Sequence, residues 1–225
     1  MKKILLSFLF AIFANLFSVS NVNNSENYYA RCYIVYDAIS EEVLEGKNIS
    51  TIRSVASISK IMTAIIALES DYLFNVVTIS DEIDDTIGSA IYLTKGEQIT
   101  IIDLVYGLLL RSGNDCASSI AVNVAKSKED FVILMNEKAK ELNMENTSFS
   151  NPSGLDINDD GNTSTVIDMA KLMGYCLQNE LFCQIINTKK YKSQDRVFIN
   201  KNKLLKSYEC LIGGKTGVAP ILCEI

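Results

Sequence analysis

The spacing of apolar positions changes along this chain, and the changes outline a fold. From Arg31 to Gly46, RCYIVYDAISEEVLEG carries β-branched and aromatic residues on both sides of a break at Asp37 to Glu41, the pattern of two short strands around a turn. From Ser57 to Ser70, SISKIMTAIIALES leaves almost no polar face, which predicts a buried helix rather than an amphipathic one. A second helix is predicted over Thr100 to Leu110, where Thr100 and Asp103 have the spacing of a capping-box-like start. Asp115 to Ala125, Lys128 to Leu142 and Thr165 to Gln178 continue the helical series, and strand-like text returns in KYKSQDRVFIN and around CLIGGKTGV. Strands at both ends with helices between them predict a mixed α/β (α+β) domain. Its partial antiparallel sheet is completed by the two chain ends and packed with helices, and a helical subdomain is inserted at about residues 75–180.

Ahead of this domain, MKKILLSFLFAIFANLFSVSNVNN sets Lys2 and Lys3 before an apolar stretch from Ile4 to Phe17, then small residues at Ser18 and Ser20. That order predicts a signal peptide over residues 1–20, export to the extracytoplasmic face of the cell membrane or the cell wall, and a mature chain starting near Asn21. A membrane-spanning anchor fits less well, because the stretch is shorter than the roughly 17–25 residues of a span and contains Asn15. No repeat, low-complexity tract or Pro/Gly-rich linker divides the remainder, so residues 21–225 read as one domain.

Composition narrows the chemistry. The 225 residues are 48% hydrophobic and 21% charged, enough for one sizeable core. A net charge of −6 without a long Lys/Arg run offers none of the phosphate-neutralising surface that nucleic acid requires. Histidine is absent, which removes the commonest general base, the usual zinc ligand and every Ser-His-Asp arrangement. Hydrolytic chemistry would have to run on lysine, carboxylate, tyrosine or cysteine. The cysteines Cys32, Cys116, Cys176, Cys183, Cys210 and Cys223 form no CxxC pair and are too sparse for a stapled domain, so most are expected as buried free thiols. On one shared helix Cys176 and Cys183 would stand roughly 10 Å apart, beyond disulfide reach. DINDDGNTSTVI imitates the start of a calcium loop through Asp156, Asn158, Asp160 and Gly161, but its twelfth position is Ile167 instead of glutamate, and a solvated loop is expected.

Three short motifs carry candidate chemistry. In SISK, Ser57 and Lys60 stand at i and i+3, on one helical face, at the mouth of the apolar helix. An S-x-x-K match arises about once by chance in a chain of this length, and its plain reading is a helix start with an outward lysine. The context favours more: a helix N-terminus and burial both oppose protonation of Lys60, and a neutral lysine can act as the base that histidine here cannot be. Ser112-Gly113-Asn114 lies between two helical patterns, where the plain reading is a glycine turn with Asn114 or Asp115 as a cap. As chemistry, its hydroxyl and amide can relay a proton and hold a substrate amide. In GGKTGVAP, Lys215 and Thr216 suit a carboxylate and the glycines allow a close backbone approach, against the plain reading of a turn between strands.

In the order S-x-x-K, S-x-N, K-T-G, these motifs match those of penicillin-binding proteins and class A β-lactamases. From about Tyr33 to Val218 the chain closely resembles the serine-type D-alanyl-D-alanine carboxypeptidases, low-molecular-mass penicillin-binding proteins of the peptidase S11 family. The likeness runs through VASISKIMTAIIALE, TKGEQITIIDLVYGLLLRSGNDCASSIA, MNEKAKELNMENTSFSNPSGLD and INKNKLL before GGKTG. The resemblance implies a β-lactamase/transpeptidase-like fold with an inserted all-helical subdomain, and no cofactor. It implies Ser57 as nucleophile toward the D-alanyl-D-alanine end of peptidoglycan stem peptides, with Lys60 as its base and Ser112 and Asn114 as proton relay and substrate clamp. Lys215 and Thr216 would bind the terminal carboxylate, with Gly217 and Val218 also at the substrate, the N–H groups of Ser57 and Val218 would form the oxyanion hole, and β-lactam antibiotics would be covalent inhibitors.

A serine β-lactamase is the nearest rival. Class A enzymes carry a deacylating glutamate in E-x-x-L-N, whereas AKELN here begins with Ala139, which favours the peptidase. The family continues past K-T-G with further strands and a closing helix, often a second β-domain and then an amphipathic membrane anchor, while VAPILCEI departs from it. The sheet is therefore expected to be incomplete in this chain, and an inactive remnant or a non-catalytic peptidoglycan- or penicillin-binding fragment stands as the alternative.

Overall fold

The computed structural model describes residues 30–83, 87–156, 161–194 and 196–217. The expected signal segment, Val218, Cys223 and the middle of the calcium-like loop lie outside the described residues.

The hairpin expected near the start is present. Strand β1 (Tyr33–Asp37) pairs antiparallel with β2 (Glu42–Lys47), Tyr33 opposite Lys47 and Asp37 opposite Glu42. Asp37 closes the turn with its own side chain, Oδ1 accepting from the N–H groups of Ile39 at 2.8 Å and Ser40 at 3.2 Å. Then β3 (Arg53–Ser54) leads into a 3₁₀ turn, Ala56–Ser59, and helix α1 (Lys60–Leu68), all of whose residues are buried. Ser57 thus sits on the tighter 3₁₀ turn, where i and i+3 side chains eclipse, rather than inside the helix that the sequence predicts from Ser57.

Strand β4 (Val76–Thr78) pairs with β5 (Gln98–Thr100), which runs into α2 (Ile101–Arg111). The predicted cap is formed: Thr100 Oγ1 accepts from the Asp103 N–H at 3.2 Å, satisfying a donor that the first turn leaves orphaned. Helices α3 (Asn114–Ala125) and α4 (Lys128–Glu141) follow, then β6 (Thr163–Ser164), paired with β3, and α5 (Val166–Cys176). The unanticipated helix α6 (Glu180–Asn187) is capped by Asn179, whose Oδ1 accepts from the Phe182 N–H at 3.0 Å. Strands β7 (Lys190–Ser193) and β8 (Arg196–Ile199) form a last hairpin.

The mixed α/β class holds, but the pairing differs from one partial sheet: among the described residues it is split into four two-stranded antiparallel ladders. Among the described residues no strand forms around CLIGGKTG, because residues 211–217 have no described strand beside them to exchange ladder hydrogen bonds. Helix α1 forms the centre of the core and contacts every other helix, with Met62, Ile65, Leu104, Leu108, Ile120, Phe131 and Phe182 fully buried. Each such side chain contributes roughly 1.5–3 kcal/mol by burial. Cys176 closes α5 and Cys183 lies in α6, so the assumption of one shared helix fails. The five described cysteines are free: Cys116 and Cys176 are buried, Cys32 and Cys183 half-buried and Cys210 exposed.

Candidate active site

Lysine 60 opens α1 and is 0% exposed. Its Nζ donates to Ser57 Oγ at 3.1 Å and to the backbone carbonyl of Ser153. Burial is the main reason its pKa falls from the usual 10.5 to about 7. The positive charges of Lys215 and Lys201 push the same way, opposed by Cys116 and Asp115.

The Pro152–Gly154 segment lies against the start of this helix. Ser59 Oγ donates to the Ala56 carbonyl at 2.7 Å, and Thr63 Oγ1 donates to the Pro152 carbonyl at 2.6 Å. Gly154 has φ +71, and a Cβ there would stand 1.8 Å from the Ala56 oxygen. Ala56, directly before Ser57, has φ +42, a left-handed conformation that L-residues with a Cβ rarely adopt. From behind, Asn151 Oδ1 accepts from the N–H groups of Ser153 at 3.1 Å and Gly154 at 2.7 Å.

The turn between α2 and α3 is made by an unexpected residue. Ser112 takes the left-handed conformation at φ +62, whereas Gly113 has φ −62 and is needed for space, since a Cβ on it would meet Asp115 Oδ1 and Cys116 Sγ at 2.8 Å. Ser112 is thereby placed at the end of α2 and Asn114 at the first position of α3. Asn114 donates from Nδ2 to the Ile87 carbonyl at 2.6 Å and from its backbone N–H to the Ser89 carbonyl at 2.7 Å, while its buried Oδ1 has no partner among the described residues. Asp115 fastens the same loop, accepting from the N–H groups of Ile91, at 3.1 and 3.0 Å, and Leu93, at 3.1 Å.

Lys215 Nζ donates to Ser112 Oγ at 3.0 Å and to the Thr216 carbonyl. Its pKa falls to about 8, through burial first and the Lys201 charge second. Lys201, which no motif in the sequence singles out, donates to Ser89 Oγ at 3.0 Å across the cleft rim. Gly217 brings the K-T-G backbone onto the Ser57 turn: a Cβ there would lie 3.0 Å from Ile58 Cγ1 and 3.4 Å from the Ile58 nitrogen.

A cleft of about 390 Å³ joins these parts, with Ser57, Ser112, Asn114, Thr216 and Gly217 in its wall, Lys60 bonded behind Ser57 and Lys215 bonded to Ser112. Seven of the eight sequence-predicted site residues therefore meet in one place, and the eighth, Val218, lies outside the described residues. A buried amine on a serine hydroxyl, beside a second cation and an anchored amide, can activate the hydroxyl and hold a carboxylate-ended peptide.

The profile of the D-alanyl-D-alanine carboxypeptidases, peptidase S11, matches residues 19–220. This chain belongs to that family. It is similar to the D-alanyl-D-alanine carboxypeptidase DacF of Bacillus subtilis, 33% identical over 198 residues that cover 84% of this chain and 50% of that protein. The chain spans about half the length of such curated relatives. Among solved structures, the D-alanyl-D-alanine carboxypeptidase of Mycobacterium tuberculosis H37Rv superposes with a TM-score of 0.80 at 30% identity, covering 85% of this chain and 74% of that one. A point mutant of the Streptomyces K15 DD-transpeptidase also gives 0.80 at 30% identity, covering 85% and 81%. Ala139, which opens the AKELN stretch, is buried in α4 and outside the cleft wall.

Proposed function

We propose that this chain is a serine-type D,D-carboxypeptidase that removes the terminal D-alanine of peptidoglycan stem peptides at the extracytoplasmic face of the cell. The observation that carries this reading is the fully buried Lys60 amine, 3.1 Å from Ser57 Oγ, in a chain with no histidine. With a pKa of about 7, Lys60 is substantially neutral at physiological pH and takes the Ser57 proton as Oγ attacks the carbonyl between the two D-alanines.

Lys215 and Thr216 hold the terminal carboxylate, and Asn114 holds the substrate backbone. The Oγ–C bond forms, the C–N bond breaks, and the proton taken by Lys60 passes through the Ser112 hydroxyl to the departing amine, which leaves both side chains as they began. Backbone N–H groups of Ser57 and Val218 stabilise the oxyanion. Water then hydrolyses the Ser57 ester, releasing the shortened stem, and a β-lactam stalls at the acyl stage.

Incubation with a labelled penicillin followed by intact-mass measurement tests this reading. One adduct is expected per chain, on Ser57, and absent in Ser57→Ala. No adduct on folded wild-type chain overturns the enzyme reading in favour of a non-catalytic fragment.

A further inference from the structure

We propose that Thr63 is a positioning residue for the Ser57–Lys60 pair: its hydroxyl fixes the Pro152–Gly154 backbone against α1, and so fixes the Ser153 carbonyl that orients Lys60 Nζ. The proposal rests on the reading of Ser57 and Lys60 given above.

A threonine inside a helix ordinarily returns its hydroxyl to its own helix, to the carbonyl of i−4. Thr63 does not. It is 0% exposed, and its Oγ1 reaches the carbonyl of Pro152, 89 residues away in sequence, at 2.6 Å. It lies three positions after Lys60, hence on the same helical face. Consecutive residues of the facing segment are met in turn: Pro152 O by Thr63, Ser153 O by Lys60, and Gly154 by the Ala56 carbonyl with Ser59 Oγ close by. Of the three, the Thr63 contact is an uncharged anchor that stays in place whatever the protonation state of Lys60.

The consequence is geometric. A neutral amine has two N–H bonds and one lone pair, and rotation about Cε–Nζ would point that lone pair anywhere. Donation of one N–H to Ser153 O selects the rotamer whose remaining directions include Ser57 Oγ, 3.1 Å away. If Pro152 recedes, Ser153 follows, and the base loses its aim. The same carbonyl favours the ammonium form, so its retreat also makes Lys60 easier to deprotonate. The other groups acting on Lys60 are Lys215, Lys201, Cys116 and Asp115, and none of them bonds Thr63.

The test compares Thr63→Val, which keeps the shape and removes the donor, with Thr63→Ser, which keeps the donor. Penicillin acylation should slow about tenfold to a hundredfold in Thr63→Val, the cost of a misplaced reacting group, and stay within about threefold of wild type in Thr63→Ser. The rising limb of the acylation pH profile should move to lower pH in Thr63→Val alone. Equal rates in the two variants, or an unmoved limb in Thr63→Val, overturns the proposal, because a merely structural threonine would lower stability and leave the limb in place. Should Thr63→Val not fold, Thr63→Cys, with its weak S–H donor, must acylate more slowly than Thr63→Ser, and equality refutes the idea. NMR titration of Lys60 in the unacylated chain reads the same shift without any turnover. A wild-type chain that forms no adduct thus counts against the enzyme reading, while an unshifted Lys60 titration in Thr63→Val counts against Thr63.

Discussion

Replacing Gly154 by alanine inserts one methyl group at the point where the facing segment touches the Ala56–Ser59 turn that carries Ser57. The new Cβ would sit 1.8 Å from the Ala56 oxygen, 2.4 Å from its carbonyl carbon and 2.8 Å from Ser59 Oγ, while Cβ contacts under 3.0 Å essentially never occur. The two backbones must therefore separate by about 1.2 Å. Such a retreat stretches the Lys60–Ser153 and Thr63–Pro152 hydrogen bonds beyond useful length. Below about pH 7, where Lys60 is protonated, its bond is charge-assisted and worth about 1.5–3 kcal/mol, and the neutral Thr63 bond about 0.5–1.5 kcal/mol. Alanine at φ +71 adds roughly 1–2 kcal/mol of backbone strain. A loss of about 3–6 kcal/mol follows, a large part of the roughly 5–15 kcal/mol that holds a domain together. In the fraction that stays folded, acylation should fall about a hundredfold, since Ser57 follows Ala56 and Lys60 loses its second partner. Urea unfolding gives the first quantity and time-resolved labelling by a fluorescent penicillin the second. A Gly154→Ala chain with wild-type unfolding free energy and an acylation rate within twofold would refute the claim that this contact sets the geometry.

Other outcomes follow from the same site. Acylation by a carboxylate-bearing β-lactam should rise with pH through about 7 as Lys60 loses its proton and fall above about 8 as Lys215 loses its charge, a narrow bell measurable by stopped-flow labelling. Lys201→Met removes a cation that lowers the Lys60 pKa, so the rising limb should shift to higher pH. Between about pH 7 and 10.5 the unfolded chain keeps a proton on Lys60 that the folded chain has lost, so this residue makes stability rise with pH over that window and opposes folding most below it. The gap is on the order of 5 kcal/mol, and Lys60→Met should stabilise the chain at pH 6 and reduce the slope of urea stability against pH. Asp115→Ala strips acceptors from the Ile91 and Leu93 N–H groups and should lower the unfolding free energy by about 2–4 kcal/mol.

Local chemistry was legible along the chain. The β1–β2 turn, the apolar run that fills α1, the Thr100 cap and the Ser57–Lys60 spacing each show within a short window of residues, and the absence of histidine needs no structure at all. Motif order was readable too, because it is a property of text. What only the tertiary structure decided involves backbone atoms, which carry no residue signature, and sums over distant groups. The two- and three-residue pairings β3–β6 and β4–β5 are too short to show a period, and the left-handed turn fell to Ser112 because Gly113 was taken up by the space beside Asp115 and Cys116. The Ser153 carbonyl reaches Lys60 across 93 residues. The Lys60 pKa falls only because segments remote in sequence exclude water from the amine and set other positive charges nearby, and desolvation is a property of the assembled fold that no short window of residues contains.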